Sequence, residues 1–140
     1  MSPEQQSWIE AQKPELVAAA ERYVAESEIY LPMPQRRDRK ARVTMSQLRN
    51  LLNVALSERS LPVLKNFLRY QVGRQWDDAK AGALLEEYLL REVGERSQGE
   101  REARGGEVRE LEAALLPLLL GFVIREYTYH CKLKGTRSDG

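Results

Sequence analysis

Residues Arg42 to Ala55 read RVTMSQLRNLLNVA. Thr44 stands where a helix can begin, and Gln47 follows three places later. At that spacing a hydroxyl and a side-chain amide satisfy each other's backbone N–H groups. Met45, Leu48, Leu51, Leu52, Ala55 and Leu56 then recur at intervals of three and four, as the single apolar stripe of an amphipathic helix does. The face left over is rich in hydrogen-bonding groups: Ser46, Arg49, Asn50 and Asn53 share it at helical spacing. The stretch therefore predicts an element and a surface together.

The same recurrence of leucines at three and four extends outward in both directions, without strand alternation or an internal repeat. It predicts an all-α, compact helical bundle of about five helices, with a long C-terminal helix, in a single domain spanning residues 1–140. A first helix is expected from about Gln6 to Glu28, with a bend or fresh start at Pro14. Residues 29–43, which hold Pro32, Pro34 and a run of cations, read as a basic, extended and mobile connector. After the Thr44 helix, Ser60 is placed to cap a third helix that carries Leu61, Leu64, Phe67, Leu68 and Val72 and ends at Gly73. Asp77 and Asp78 open a fourth that reaches about Val93. Residues 94–106, GERSQGEREARGG, mix both charges with glycine and read as a flexible loop. The last helix is expected from about Glu107 to Lys132, kinked at Pro117.

The balance of 42% hydrophobic and 31% charged residues over 140 positions is that of a globular chain with a real core. A lone cysteine, Cys131, excludes an internal disulfide and a cysteine-built zinc site, and it fits a reducing cytoplasm. The opening MSPEQQSWIEAQ is polar and acidic, unlike a signal peptide. The longest near-apolar run, Ala113 to Ile124, contains Pro117 and Gly121 and is too short for a bilayer, so no membrane association is expected. A net charge of +1 conceals a strong segregation. Between Arg36 and Arg74, ten cations face only Asp38 and Glu58, a net +8, while the segments before and after are acidic. Such a local field attracts a polyanion even when the total is near zero, with an affinity that falls steeply with salt. On the third helix Lys65, Asn66, Arg69 and Tyr70 form a second polar face, followed by Arg74. Hydroxyl, amide and guanidinium groups side by side suit phosphate and ribose contacts.

The strings VTMSQLRNLLNVA and LKNFLRYQVGR, with Tyr129-His130 near the end of the last helix, resemble the small subunit of type III-A CRISPR effector complexes, the Csm small subunit. That family carries a hydroxyl-rich start to a helix after a basic loop, then a helix with a Tyr-x-x-small-Arg end. The long 94–106 segment and Met45 between the two hydroxyls depart from the pattern. The resemblance implies a non-catalytic, RNA-binding, cytoplasmic protein of antiviral defence. It would line the groove that holds guide RNA paired with target RNA, through backbone contacts without sequence choice. Its partners would be guide RNA and target RNA, the backbone and large subunits of the effector complex, and further copies of itself along the RNA. Carried onto this chain, the RNA-binding residues would be Thr44, Ser46, Gln47, Arg49 and Asn50, with Lys65, Arg69 and Arg74 from the next helix and Arg42 from the basic loop.

No glycine-rich phosphate loop, paired histidines or metal-ligand spacing is present, so no catalytic residue, metal or cofactor is expected. His130 is the only histidine, and it reads as a surface or capping group. Two other functions are compatible with a basic helical pair. One is a helix-turn-helix DNA-binding regulator, although the Ser57–Pro62 join lacks the usual glycine. The other is a helical adaptor for an acidic protein.

Overall fold

A computed structural model describes residues 1–139, and the all-α expectation holds. Helix α1 runs Pro3–Ser27, α2 Met45–Glu58, α3 Leu61–Gln75, α4 Ala79–Tyr88, α5 Arg96–Arg104 and α6 Val108–Lys134. A π-helical segment, Leu89–Glu95, links α4 to α5 with right-handed helical dihedrals at both joints, so the three form one rod and the bundle has five. Among the described residues the only β-type pairing is an isolated parallel bridge between Lys40 and Arg137.

Local chemistry sets the helix starts. Ser2 and Gln5 close a capping box on α1, and Thr44 and Gln47 close another on α2. Ser60 and Asp78 cap α3 and α4 through their side chains. Helix α6 is the spine of the bundle, and α1 and α2 lie along it. Leu115, Leu116, Leu119, Leu120, Val123 and Tyr127 of α6 are buried, as are Leu16, Ala20 and Tyr23 of α1 and Leu48, Leu51 and Ala55 of α2. Full burial of each large aliphatic side chain contributes about 1.5–3 kcal/mol. The buried phenols are partnered: Tyr23 donates to the Ala81 carbonyl at 2.8 Å and meets the Tyr88 ring edge-on at 5.5 Å, and Tyr127 donates to the Val43 carbonyl.

Three expectations are corrected. Pro14 neither starts nor divides α1, which is continuous from Pro3 because the Ser2–Gln5 capping box begins it earlier. Residues 94–106 are not a flexible loop, since all but the last two are helical. Glycine costs a helix about 1 kcal/mol, but here pairs four residues apart oppose that cost. Arg96 meets Glu92 at 2.6 Å, Gln98 meets Glu102 at 3.2 Å, and Arg104 meets the buried Glu100. Arg96 also reaches Gln12 at 2.9 Å and Glu15, which clamps α5 to α1. Only Gly105 and Gly106, with φ of 84° and 99°, turn the chain into α6.

The basic connector, residues 29–43, is irregular as expected but held at many points. Ile29, Tyr30, Ala41 and Val43 are buried. The Arg42 and Val43 amides donate back to Leu31 and Ile29. The segment after α6 closes on it: Ala41 N–H donates to Arg137, Arg137 N–H to Arg39, and Met45 N–H to Ser138, each at 2.8 Å. The Arg39 guanidinium donates to the carbonyls of Lys134 and Gly135, so it caps the end of α6.

Candidate nucleic-acid interface

Helices α2 and α3 form an antiparallel hairpin. The Gln47 amide, in the first turn of α2, donates to the carbonyl of Gln75, the last residue of α3, at 3.1 Å. Each helix is about 20 Å long at 1.5 Å per residue, so only an antiparallel arrangement brings those ends together.

The structure separates the nine predicted contact residues by what their side chains already do. Thr44 is buried, and its hydroxyl accepts the Gln47 amide proton at 3.2 Å. The Gln47 carbonyl oxygen accepts from Thr44 N–H at 2.9 Å. Both are engaged in the capping box. Arg42 pairs with Asp78 at 3.3 Å in a half-buried setting and joins the connector to the start of α4. Arg69 is engaged as well. Its guanidinium is exposed, but it makes a two-pronged pair with Glu86 of α4, Nε to Oε1 at 2.6 Å and Nη2 to Oε2 at 2.7 Å. That contact holds the Glu86 carboxyl below its ordinary range. Lys65 lies close enough to add to the same field and is half-buried.

The α3 cations therefore do not share one face. Successive helical residues turn by about 100°, so Lys65 and Arg74 are on opposite flanks. The Lys65–Arg69 flank turns toward α4. The Tyr70–Arg74 flank lies on the other side, with both residues exposed, and the Arg74 guanidinium donates to the Tyr70 hydroxyl and sits 5.8 Å from its ring centre.

Ser46, Arg49 and Asn50 of α2 remain fully available. They are exposed, and no ion pair engages Arg49 among the described residues. The Gln47–Gln75 bond brings the end of α3, with Arg74, beside this first turn of α2. Ser46, Arg49, Asn50 and Arg74 thus lie toward one end of the hairpin as a hydroxyl, an amide and two guanidinium groups open to solvent, with Arg49, two residues on from Gln47, on the flank of α2 turned away from α3. Such a set donates to phosphate oxygens and ribose hydroxyls and reads no base edge.

Sequence reasoning missed the acidic residues that neutralise part of the basic segment. Asp77 pairs with Arg36, Asp78 with Arg42 and Glu86 with Arg69, all from or near the start of α4. Only the acidic surplus after residue 75 hinted at them. His130 stacks on Tyr30 at 4.7 Å and bonds Glu126 at 3.0 Å. Among the described residues no group of three or more His, Cys, Asp or Glu side chains is placed to hold a metal ion, and no helix is long and apolar enough to cross a membrane. No family model, curated protein or solved structure matches the chain.

Proposed function

We propose that this chain is a non-catalytic small subunit of a type III-A CRISPR RNA-guided effector complex. It lines the groove of the guide RNA–target RNA duplex through sequence-independent backbone contacts and bridges neighbouring subunits. The observation that carries this reading is the unpaired polar end of the α2–α3 hairpin: Ser46, Arg49, Asn50 and Arg74 exposed on helices whose opposite stripes are locked in the core. A ligand recognised by charge and shape alone fits those groups. The ends of the bundle support stacking of copies. Leu56 and Val63 are exposed at the closed end of the hairpin, and Tyr129 and Leu133 at the end of α6, which lies by the open end. Two unlike apolar ends suit a head-to-tail contact, which repeats along a strand.

The helix-turn-helix alternative is less well supported. That motif crosses its helices at about 90–120°, whereas α2 and α3 lie antiparallel.

The test is RNA binding by fluorescence anisotropy across a salt series, for wild type, Arg49→Glu/Arg74→Glu and Arg69→Ala/Glu86→Ala. The double variant is expected to lose affinity and to flatten the log–log salt slope by about 1.4, roughly 0.7 for each phosphate contact on a single strand. Its helical circular dichroism should be unchanged. Arg69→Ala/Glu86→Ala, which removes a mutually neutralised pair, should change affinity by less than about twofold. Wild-type binding by the double variant would overturn this surface.

A further inference from the structure

The fold joins two basic segments that lie far apart in the chain. The connector contributes Arg37, Arg39 and Lys40, and the end of α6 with its following turn contributes Lys132, Lys134 and Arg137. The Lys40–Arg137 bridge, the bonds from Arg39 to the Lys134 and Gly135 carbonyls and the bond from Arg137 to the Asp38 carbonyl fix them together. Among the described residues only Asp139 makes an ion pair with one of these six cations, Arg137, while Asp38 and Asp77 pair with Arg36 and Asp78 with Arg42. Compensation of the α6 dipole does not account for the cluster. The end of a helix carries the equivalent of about half a negative charge, and Arg39 already binds its last carbonyls. Lys40, Lys132 and Lys134 make no ion pair among the described residues. The Met45–Ser138 bond places the cluster against the first turn of α2, one residue from Ser46 and one helical turn from Arg49.

We propose that this junction is a second phosphate-binding surface, continuous with the exposed end of the hairpin, so that one RNA strand runs from Arg74 and Arg49 across to Lys40 and Lys134. The inference rests on the RNA-lining reading and extends it. The strand's path turns away from the α3–α4 flank, where Arg69 is already engaged by Glu86, and toward the end of the bundle. Backbone phosphates are the fitting ligand, because ammonium groups on flexible stems act as point charges and impose no directional match.

The experiment uses the full chain and a single-stranded RNA probe, and compares Lys40→Gln/Lys134→Gln with Arg49→Glu/Arg74→Glu. The lysine pair is expected to weaken binding and lower the salt slope by about 1.4. Combined with the arginine pair it should lower the slope by about twice that. Should the lysine pair bind like wild type while the arginine pair fails, the junction is not part of the path and only the hairpin surface survives. Wild-type binding by both variants would remove both surfaces. Intact RNA binding by the lysine pair with lost capture of co-expressed partner subunits would assign the junction to an acidic protein, and that also overturns the proposal. Lys132→Gln/Lys134→Gln gives the same readings should the Lys40 substitution loosen the connector, as a lowered melting temperature would reveal.

Discussion

At the scale of single residues, what the sequence could convey depended on how far away a side chain's partner lies. Thr44 and Gln47 find each other three residues apart, so their capping box could be read directly from the string. Arg42 and Arg69 are engaged by Asp78 and Glu86, 36 and 17 residues further on, and nothing local to either arginine announces that. A similar long-range constraint falls on Gly82. A Cβ there would lie 2.2 Å from Cγ2 of Val72, a stiff β-branched side chain of α3. Alanine would gain about 1 kcal/mol of helix propensity and lose about 1–3 kcal/mol to overpacking. The net cost of up to about 2 kcal/mol is expected to make Gly82→Ala lower the melting temperature by up to roughly 8 °C in a calorimetric scan. An unchanged or raised value would mean that the α3–α4 contact yields freely.

Element by element, the amphipathic helices were legible because each has one apolar stripe, and the 94–106 segment was not because its support is charged. Helix α5 has no apolar stripe and carries a glycine, and what decides is its charged pairs and the packing of Ser97 and Glu100 into a protein surface that the string does not display. Just before α5, the π-helical segment holds Glu92 buried against Arg96 at 2.6 Å and Arg91 at 3.1 Å. Burial pushes its carboxyl up, but the hydrogen bonds from Arg96 and Arg91 outweigh that and hold it below its ordinary value of about 4.5. The sign follows. A carboxyl with a depressed folded-state pKa contributes stability above its unfolded pKa, and loses it as pH falls through the folded value. Wild type is therefore expected to lose urea stability as pH falls below about 4.5, and Glu92→Gln, less stable at neutral pH, should show a shallower acid slope. Parallel slopes would show that Glu92 does not carry the acid sensitivity.

For the molecule as a whole, the net +8 of residues 36–74 overstates the field that a ligand meets, since α4 and its leading turn return three carboxylates to that segment. What remains is concentrated at one end of the bundle, with apolar side chains exposed at both ends. Copies stacked head to tail would set these cationic ends at a regular interval along a strand, and their avidity would then exceed that of one copy. Leu56→Glu/Val63→Glu is expected to leave binding to a short RNA unchanged and to abolish cooperative binding to a long one in sedimentation velocity. Retained cooperativity would place the contact between copies elsewhere. The clasp between the connector and the turn after α6 also bears on the order of events during synthesis. Ala41 and Met45 receive their backbone partners only from Arg137 and Ser138, so a nascent chain can bury its helices against one another while its most cationic corner stays undone. That corner is shaped only once Arg137 and Ser138 have emerged from the ribosome, and until then the connector lacks the backbone partners that fix its cationic groups in place.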